Sequence, residues 1–253
     1  MPFTLSHPAI VLPLNLLPAR WVSITGLVIG SLAPDLQSYF TPGADKTHSH
    51  TWWGILWFCI PVSILLSFVF HLIVREMLIM HLPRVLQIKM IRYKDVNWPA
   101  LFREKWPVII ISMAVGAASH LFWDSFSHFD GFFIRDNPAL QGNMDVLGRS
   151  VEIPFVIQYV NSLVGLVIIA IAILQVPRSR NVRIRVVILK YWVIIALLTV
   201  IFAFPGAAST DRFKLDDFIT SLISAFCTAL LITSLLFRQG YVKDAWKPKA
   251  KKP

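Results

Sequence analysis

The chain has 253 residues, 56% of them apolar and only 15% charged, and its mean hydropathy is +0.63. Soluble domains carry about 25% charged residues, so this composition excludes an ordinary water-soluble globule, and the formal net charge of +10 has to be read loop by loop rather than as a nucleic-acid footprint. The two cysteines, Cys59 and Cys227, lie inside apolar runs without metal-ligand spacing, which argues against a disulfide framework.

The N-terminal stretch MPFTLSHPAIVLPLNLLPAR has no basic n-region and no prompt small-x-small cleavage site. It therefore reads as part of the mature protein rather than a signal peptide. Residues 9–34 are apolar but are interrupted by Pro13, Pro18 and Arg20. They form either one kinked span or two short helices in a re-entrant hairpin, and the hairpin is the preferred reading. Clear spans follow at about 52–74, 107–124, 155–176, 186–204 and 217–237, each long enough to cross a bilayer core. No internal repeat is evident. The expectation is an all-α, polytopic integral membrane helix bundle of about five or six spans, folded as a single domain over 1–253.

Lysine and arginine alternate between the connecting segments. Segment 75–106 carries seven, 177–190 five and the tail 238–253 six, against one in 35–51, two in 125–154 and two in 205–216. By the positive-inside rule the rich segments, including the tail, face the cytoplasm and the poor ones face outward. Span 107–124 then runs outward. At its outer end, in ASHLFWDSFSHFDG (118–131), stand His120, Asp124 and His128, each four residues apart. Four-residue spacing places side chains on one helix face. A carboxylate between two imidazoles on one stripe is a metal-site pattern.

The facing outer segment supplies Asp35, in APD, and His48 and His50, in KTHSHTWW. His7 joins them if 9–34 is a hairpin with its N-terminus outside. His120 and His128 lie about 12 Å apart along a regular helix, so both cannot bind one ion there. The triplet implies two ions bridged by Asp124, or a helix that ends near Ser125. Plainer readings stand beside these. Asp35 would cap a helix, and His50 would solvate the rim. Trp52, Trp53 and Trp123 would form an aromatic belt. His71 and His81 would be interfacial polar residues, and Asp130, Asp136, Asp145 and Glu152 solvated loop charges. Asp216 and Asp217 look like helix-start acids.

The opening MPFTLSHPAIVLPL, with GSLAPDLQSYF and KTHSHT, resembles a bacterial membrane family, domain of unknown function 4184, over most of the chain. The layout is also similar to YdjM-type membrane-bound, metal-dependent hydrolases, which carry an early His, a PD motif, a THS motif and a later H-x-x-x-D. Those motifs fall here on His7, Pro34-Asp35, Thr47-His48-Ser49 and His120/Asp124, although GADK stands where that group has HRG before THS. More distantly, the ligand order is similar to zinc-dependent phospholipase C and the related zinc nucleases. Their last His follows the Asp after five residues, whereas His128 follows Asp124 after three. These resemblances imply a bacterial inner-membrane location and phosphoester hydrolysis.

The expected function is metal-dependent hydrolysis at the outer membrane face, acting on a phosphoester or lipid head group. Its metal would be Zn2+, one to three ions, or another divalent cation. His7, Asp35, His48, His50, His120, Asp124 and His128 are the candidate ligands, and Asp35 and Asp124 the candidate catalytic carboxylates. Arg135 and Arg149 would steer an anionic group. Expected partners are the bilayer and an amphipathic substrate, with no nucleic acid. The alternatives are a metal transporter or sensor, and a structural metal clamp. Spans 155–176 and 217–237 offer little beyond Gln158, Asn161 and Ser/Thr to line a transport path.

Overall fold

Pro13 and Pro18 cannot sit inside a continuous helix without removing backbone hydrogen bonds, and the chain turns between them and Ser23. The structure is a computed structural model that describes residues 4–40, 48–128, 131–179, 189–208 and 215–245. A short helix, Pro8–Val11, leads into a 3-10 turn, Leu12–Leu16, and the chain re-enters as the helix Ile24–Leu32. Ser23 caps that helix, its side chain accepting the Gly26 N–H, as N-cap serines do. Nine residues rise only about 14 Å, half of a bilayer core. The first apolar region is thus a hairpin rather than one kinked span.

Four helices among the described residues are long and apolar enough to cross a membrane: Trp52–His81, Trp98–Asp124, Ile153–Gln175 and Phe218–Gln239. The span expected at 186–204 is the helix Leu189–Ala208. The protein is an all-α membrane helix bundle. Two expected spans differ in extent. The first continues to His81 through π-helical turns at Ile55–Cys59 and Phe70–Val74. The second starts at Trp98 rather than near 107, and its backbone leaves helical geometry at Lys105 (φ −123°, ψ 22°), two residues before Pro107. The described strands, Asn143–Val146 and Arg149–Glu152, form one exposed antiparallel hairpin turned by Leu147 and Gly148.

The chain forms two compact units. The first comprises 1–67, 99–175 and 214–220, and the second 68–98, 176–213 and 221–253. In the first, Ala33, Ile55, Cys59 and Ala117 form a buried apolar cluster. Small residues bring two backbones together beside it. A Cβ at Gly30 would collide with the Met113 backbone, and one at Gly116 with the backbone of Leu27, Gly30 and Ser31. Glycines four apart, Gly26 against Ile109 and Ser112 and Gly30 against Met113 and Gly116, are the close-approach device of membrane helices. In the second unit, Met77, Tyr191, Ile195 and Ala229 form the core, and the Tyr191 hydroxyl lies 2.9 Å from that of Ser234.

Candidate metal centre

The close helix contact positions the first functional ring. Because Gly30 and Gly116 let the hairpin approach the 98–124 helix, the Ser31 carbonyl reaches His120 Nδ1 at 2.7 Å. A carbonyl only accepts, so Nδ1 carries a proton, and Nε2 is the nitrogen whose lone pair would serve a metal ion. The same logic fixes His7, whose Nδ1–H donates to the Thr4 carbonyl at 3.1 Å. The two rings stack, with centroids 4.0 Å apart. An imidazole whose other nitrogen is tied to a backbone carbonyl is the usual arrangement of a metal ligand.

The Nε2 atoms converge on two carboxylates. His7 Nε2 lies 3.0 Å from Asp124 Oδ1. His120 Nε2 is 3.2 Å from Asp124 Oδ2 and 3.7 Å from Asp35 Oδ1. His50 Nε2 is 3.4 Å from Asp35 Oδ1 and 3.7 Å from Asp124 Oδ2. Asp35 and His120 are 1% and 0% exposed. Buried His50 Nε2, His120 Nε2 and Asp124 Oδ2 make no hydrogen bond among the described residues. Lone pairs turned toward carboxylate oxygens repel unless a proton or a metal ion lies between them. Two buried carboxylates without a cation would also be costly. Tetrahedral bonds of about 2.0–2.1 Å set ligand atoms about 3.3–3.4 Å apart. The four nitrogen–oxygen separations around His50 and His120 run from 3.2 to 3.7 Å.

Two trios could hold an ion: His7, Asp35 and His120, and His50, His120 and Asp124. Both use His120, whose Nδ1 is committed to Ser31. One available nitrogen serves one ion, so the trios describe a single centre with five candidate ligands. The donors come from separate segments: the N-terminal turn, the end of the hairpin, the turn before Trp52, and the end of the 98–124 helix.

His128 takes a different place. The helix ends at Asp124, and the His128 N–H donates to the Asp124 carbonyl at 3.0 Å. Its ring Nδ1 donates to that same carbonyl at 3.2 Å, and its Nε2 accepts from the Gln158 amide at 3.3 Å. The lone pair is engaged, so His128 stands beside Asp124 (Nδ1 to Oδ1 3.6 Å) instead of pointing into the cluster. Of the two sequence alternatives for the stripe, the structure has the helix that ends near Ser125. His48 is exposed, its ring edge-on to Trp57 at 6.0 Å, and belongs to neither trio. Its neighbour His50, which sequence alone also read as a rim residue, does.

Other expectations resolve locally. His71 stacks on Trp98 at 4.2 Å and accepts from Arg75, while His81 stacks on Tyr191 at 4.3 Å. Both belong to the second unit and pack on aromatic rings, where the sequence suggested interfacial solvation. Asp145 accepts the Gly148 N–H, Asp136 pairs with Arg135 at 3.2 Å, and Glu152 and Arg149 are exposed. Trp52 and Trp53 are 71% and 76% exposed, while Trp123 is half-buried. Lys46 and Thr47, Asp130, Arg180, Arg183 and Arg185, the tail 246–253, and the side chains of Asp216 and Asp217 lie outside the described residues. Thr4, Ser31, Tyr39 and Gln158 hold the cluster in place but carry no sequence signal of that role, apart from the three-residue step from Thr4 to His7.

Fold and site together define a polytopic helical membrane protein with a buried histidine–aspartate cluster able to hold a metal ion. The chain belongs to the family described as domain of unknown function DUF4184, whose model matches residues 1–235. That stretch contains every residue of the cluster. No curated protein and no solved structure matches the chain.

Proposed function

We propose that the protein is a membrane-embedded metal-dependent hydrolase acting on a phosphoester or lipid head group at the outer face of the membrane. The observation that carries this reading is the convergence of His7, His50 and His120 on Asp35 and Asp124, with buried atoms of His50, His120 and Asp124 left without hydrogen bonds. Imidazole with carboxylate suits Zn2+. When bound, such an ion polarises the phosphoryl oxygen and lowers the pKa of a water toward about 7. Asp35 is suited to be a fixed ligand, because Thr4 holds its Oδ2 at 2.6 Å. Asp124 is the more open of the two carboxylates. Its side chain is 10% exposed against 2% for Asp35, and His128 stands beside it.

Exposed aromatics flank the more open members of the cluster. Trp52 and Trp53 follow His50, and Phe122 and Phe126 bracket Asp124. Such side chains favour the lipid–water boundary, which supports an amphipathic substrate. The lysine and arginine distribution supports an orientation with this end outside and the C-terminus in the cytoplasm, in a bacterial inner membrane. The likeness to YdjM-type hydrolases supports the same chemistry.

A second reading is a structural clamp. The ligands come from separate segments, so an ion held by all of them would tie those segments together. One experiment separates the readings: metal analysis of detergent-purified protein, with chelator-sensitive turnover of phosphodiesters and phospholipids. The hydrolase reading expects bound zinc, lost in His120→Ala and Asp124→Ala, and turnover lost with it. Bound zinc that raises the melting temperature without any turnover favours the clamp. Protein that stays metal-free after gentle purification in zinc-supplemented buffer overturns both.

A further inference from the structure

Thr4 touches two of the five candidate ligands by different groups. Its carbonyl accepts the His7 Nδ1–H at 3.1 Å, and its hydroxyl donates to Asp35 Oδ2 at 2.6 Å. The Tyr39 hydroxyl donates to Thr4 Oγ1 at 2.7 Å. Thr4 itself is 3% exposed, so water does not compete for these bonds. Tyr39 lies four residues after Asp35 in the short helix Leu36–Phe40, which brings the phenol back beside the carboxylate it supports.

The direction of this chain follows from the proton count. A threonine hydroxyl has one proton. Tyr39 donates into its oxygen, so the threonine proton is free to point at Asp35. An O–H···O bond to a carboxylate at this length is charge-assisted and strong, and the donor behind it polarises it further. The terminal torsion of an aspartate is otherwise broad and two-fold. Pinning Oδ2 leaves Oδ1 as the atom that faces His50 and His120.

We propose that Thr4, backed by Tyr39, is the positioning residue of the centre, setting the metal-facing atoms of His7 and Asp35 at once. This inference rests on the metal-centre reading. It makes the N-terminal turn a working part of the site: Thr4 and His7 occupy one turn of chain, and anything that displaces that turn removes one ligand and loosens another.

The test is zinc affinity of the detergent-purified full chain, measured by competition with a chelating dye, for wild type, Thr4→Val, Thr4→Ser and Tyr39→Phe. Thr4→Val keeps the shape and the carbonyl but removes the hydroxyl. Loss of an outer-shell partner typically costs 10–100-fold in metal affinity, and that is the expected loss. Thr4→Ser, which restores the hydroxyl, should bind close to wild type, and Tyr39→Phe should fall between. Melting of metal-free Thr4→Val should fall, since buried Asp35 Oδ2 loses its donor, whereas metal-free Thr4→Ser should melt like wild type. Wild-type affinity in Thr4→Val overturns the inference, and so does a Thr4→Ser loss equal to that of Thr4→Val, which would make the effect one of packing. A wild-type chain that binds no zinc overturns the metal reading itself, a result visible without any variant.

Discussion

Gly30→Ala is the substitution whose consequence can be worked furthest from the structure. A Cβ built at Gly30 lies 2.8 Å from Met113 Cα and 2.9 Å from its carbonyl carbon. Carbon atoms rest about 3.5–4.0 Å apart, and the Met113 carbonyl oxygen is nearer still, so the two backbones must part by at least roughly 0.6–1.2 Å. The obstacle is main chain, so no flexible side chain can yield instead. Ser31, the next residue, holds His120 Nδ1 at 2.7 Å. The same displacement stretches that bond to roughly 3.3–3.9 Å, at or beyond the hydrogen-bond limit, and frees the His120 ring to turn. Overpacking of this kind costs about 1–3 kcal/mol, partly offset by the roughly 1 kcal/mol gained on replacing a helical glycine by alanine. Stability should therefore fall by about 0–2 kcal/mol, while zinc affinity falls about 10–100-fold. The assay is zinc titration beside thermal unfolding. Gly142→Ala is the control, since its nearest neighbour would be the Ile153 Cδ1 at 3.9 Å. Undiminished zinc binding in Gly30→Ala would refute the claim that the glycine contact aims His120.

The other predictions concern the histidines and the ion. His48→Ala should retain zinc, whereas His50→Ala should lose affinity; equal behaviour of the two in a dye competition would contradict their different placement. His128→Ala and Gln158→Leu should leave zinc bound and lower the turnover number, because these residues flank Asp124 without pointing into the cluster; loss of the metal in His128→Ala would show that its ring is a ligand. Adding zinc at 100 times its dissociation constant should stabilise the folded protein by about 2.7 kcal/mol. The rise in melting temperature should be abolished by chelator and absent from Asp124→Ala.

The parts of this molecule readable in the sequence are those set by local periodicity. Apolar length placed spans at about 52–74, 107–124, 155–176 and 217–237, inside or close to the helices observed, and the prolines at 13 and 18 marked the turn of the hairpin. The i, i+4 step from His120 to Asp124 was visible because both lie on one regular helix. The same step failed from Asp124 to His128, since the helix stops at Asp124 and the next turn rotates the ring toward Gln158. Nothing local distinguishes His48 from His50. Their difference arises where the chain turns into the 52–81 helix, and Ser49, between them, is fully buried with its N–H donated to Gln37. Thr4, Tyr39 and Ser31 were silent for the same reason. The Thr4 hydroxyl reaches Asp35, Tyr39 reaches Thr4 and the Ser31 carbonyl reaches His120 only because tertiary packing brings them near, and residue type alone does not announce such bonds. His71 and His81 show the converse: polar residues in apolar runs that are explained by aromatic stacking within the second unit.

The most direct test of the account is X-ray absorption at the zinc edge on the zinc-loaded, detergent-purified protein, beside His120→Ala. The account predicts nitrogen and oxygen ligands at about 2.0–2.1 Å, with the outer-shell scattering of several imidazoles, and loss of bound zinc in the variant. A wild-type protein that takes up no zinc, or holds it with sulfur ligands or without imidazole scattering, would contradict it.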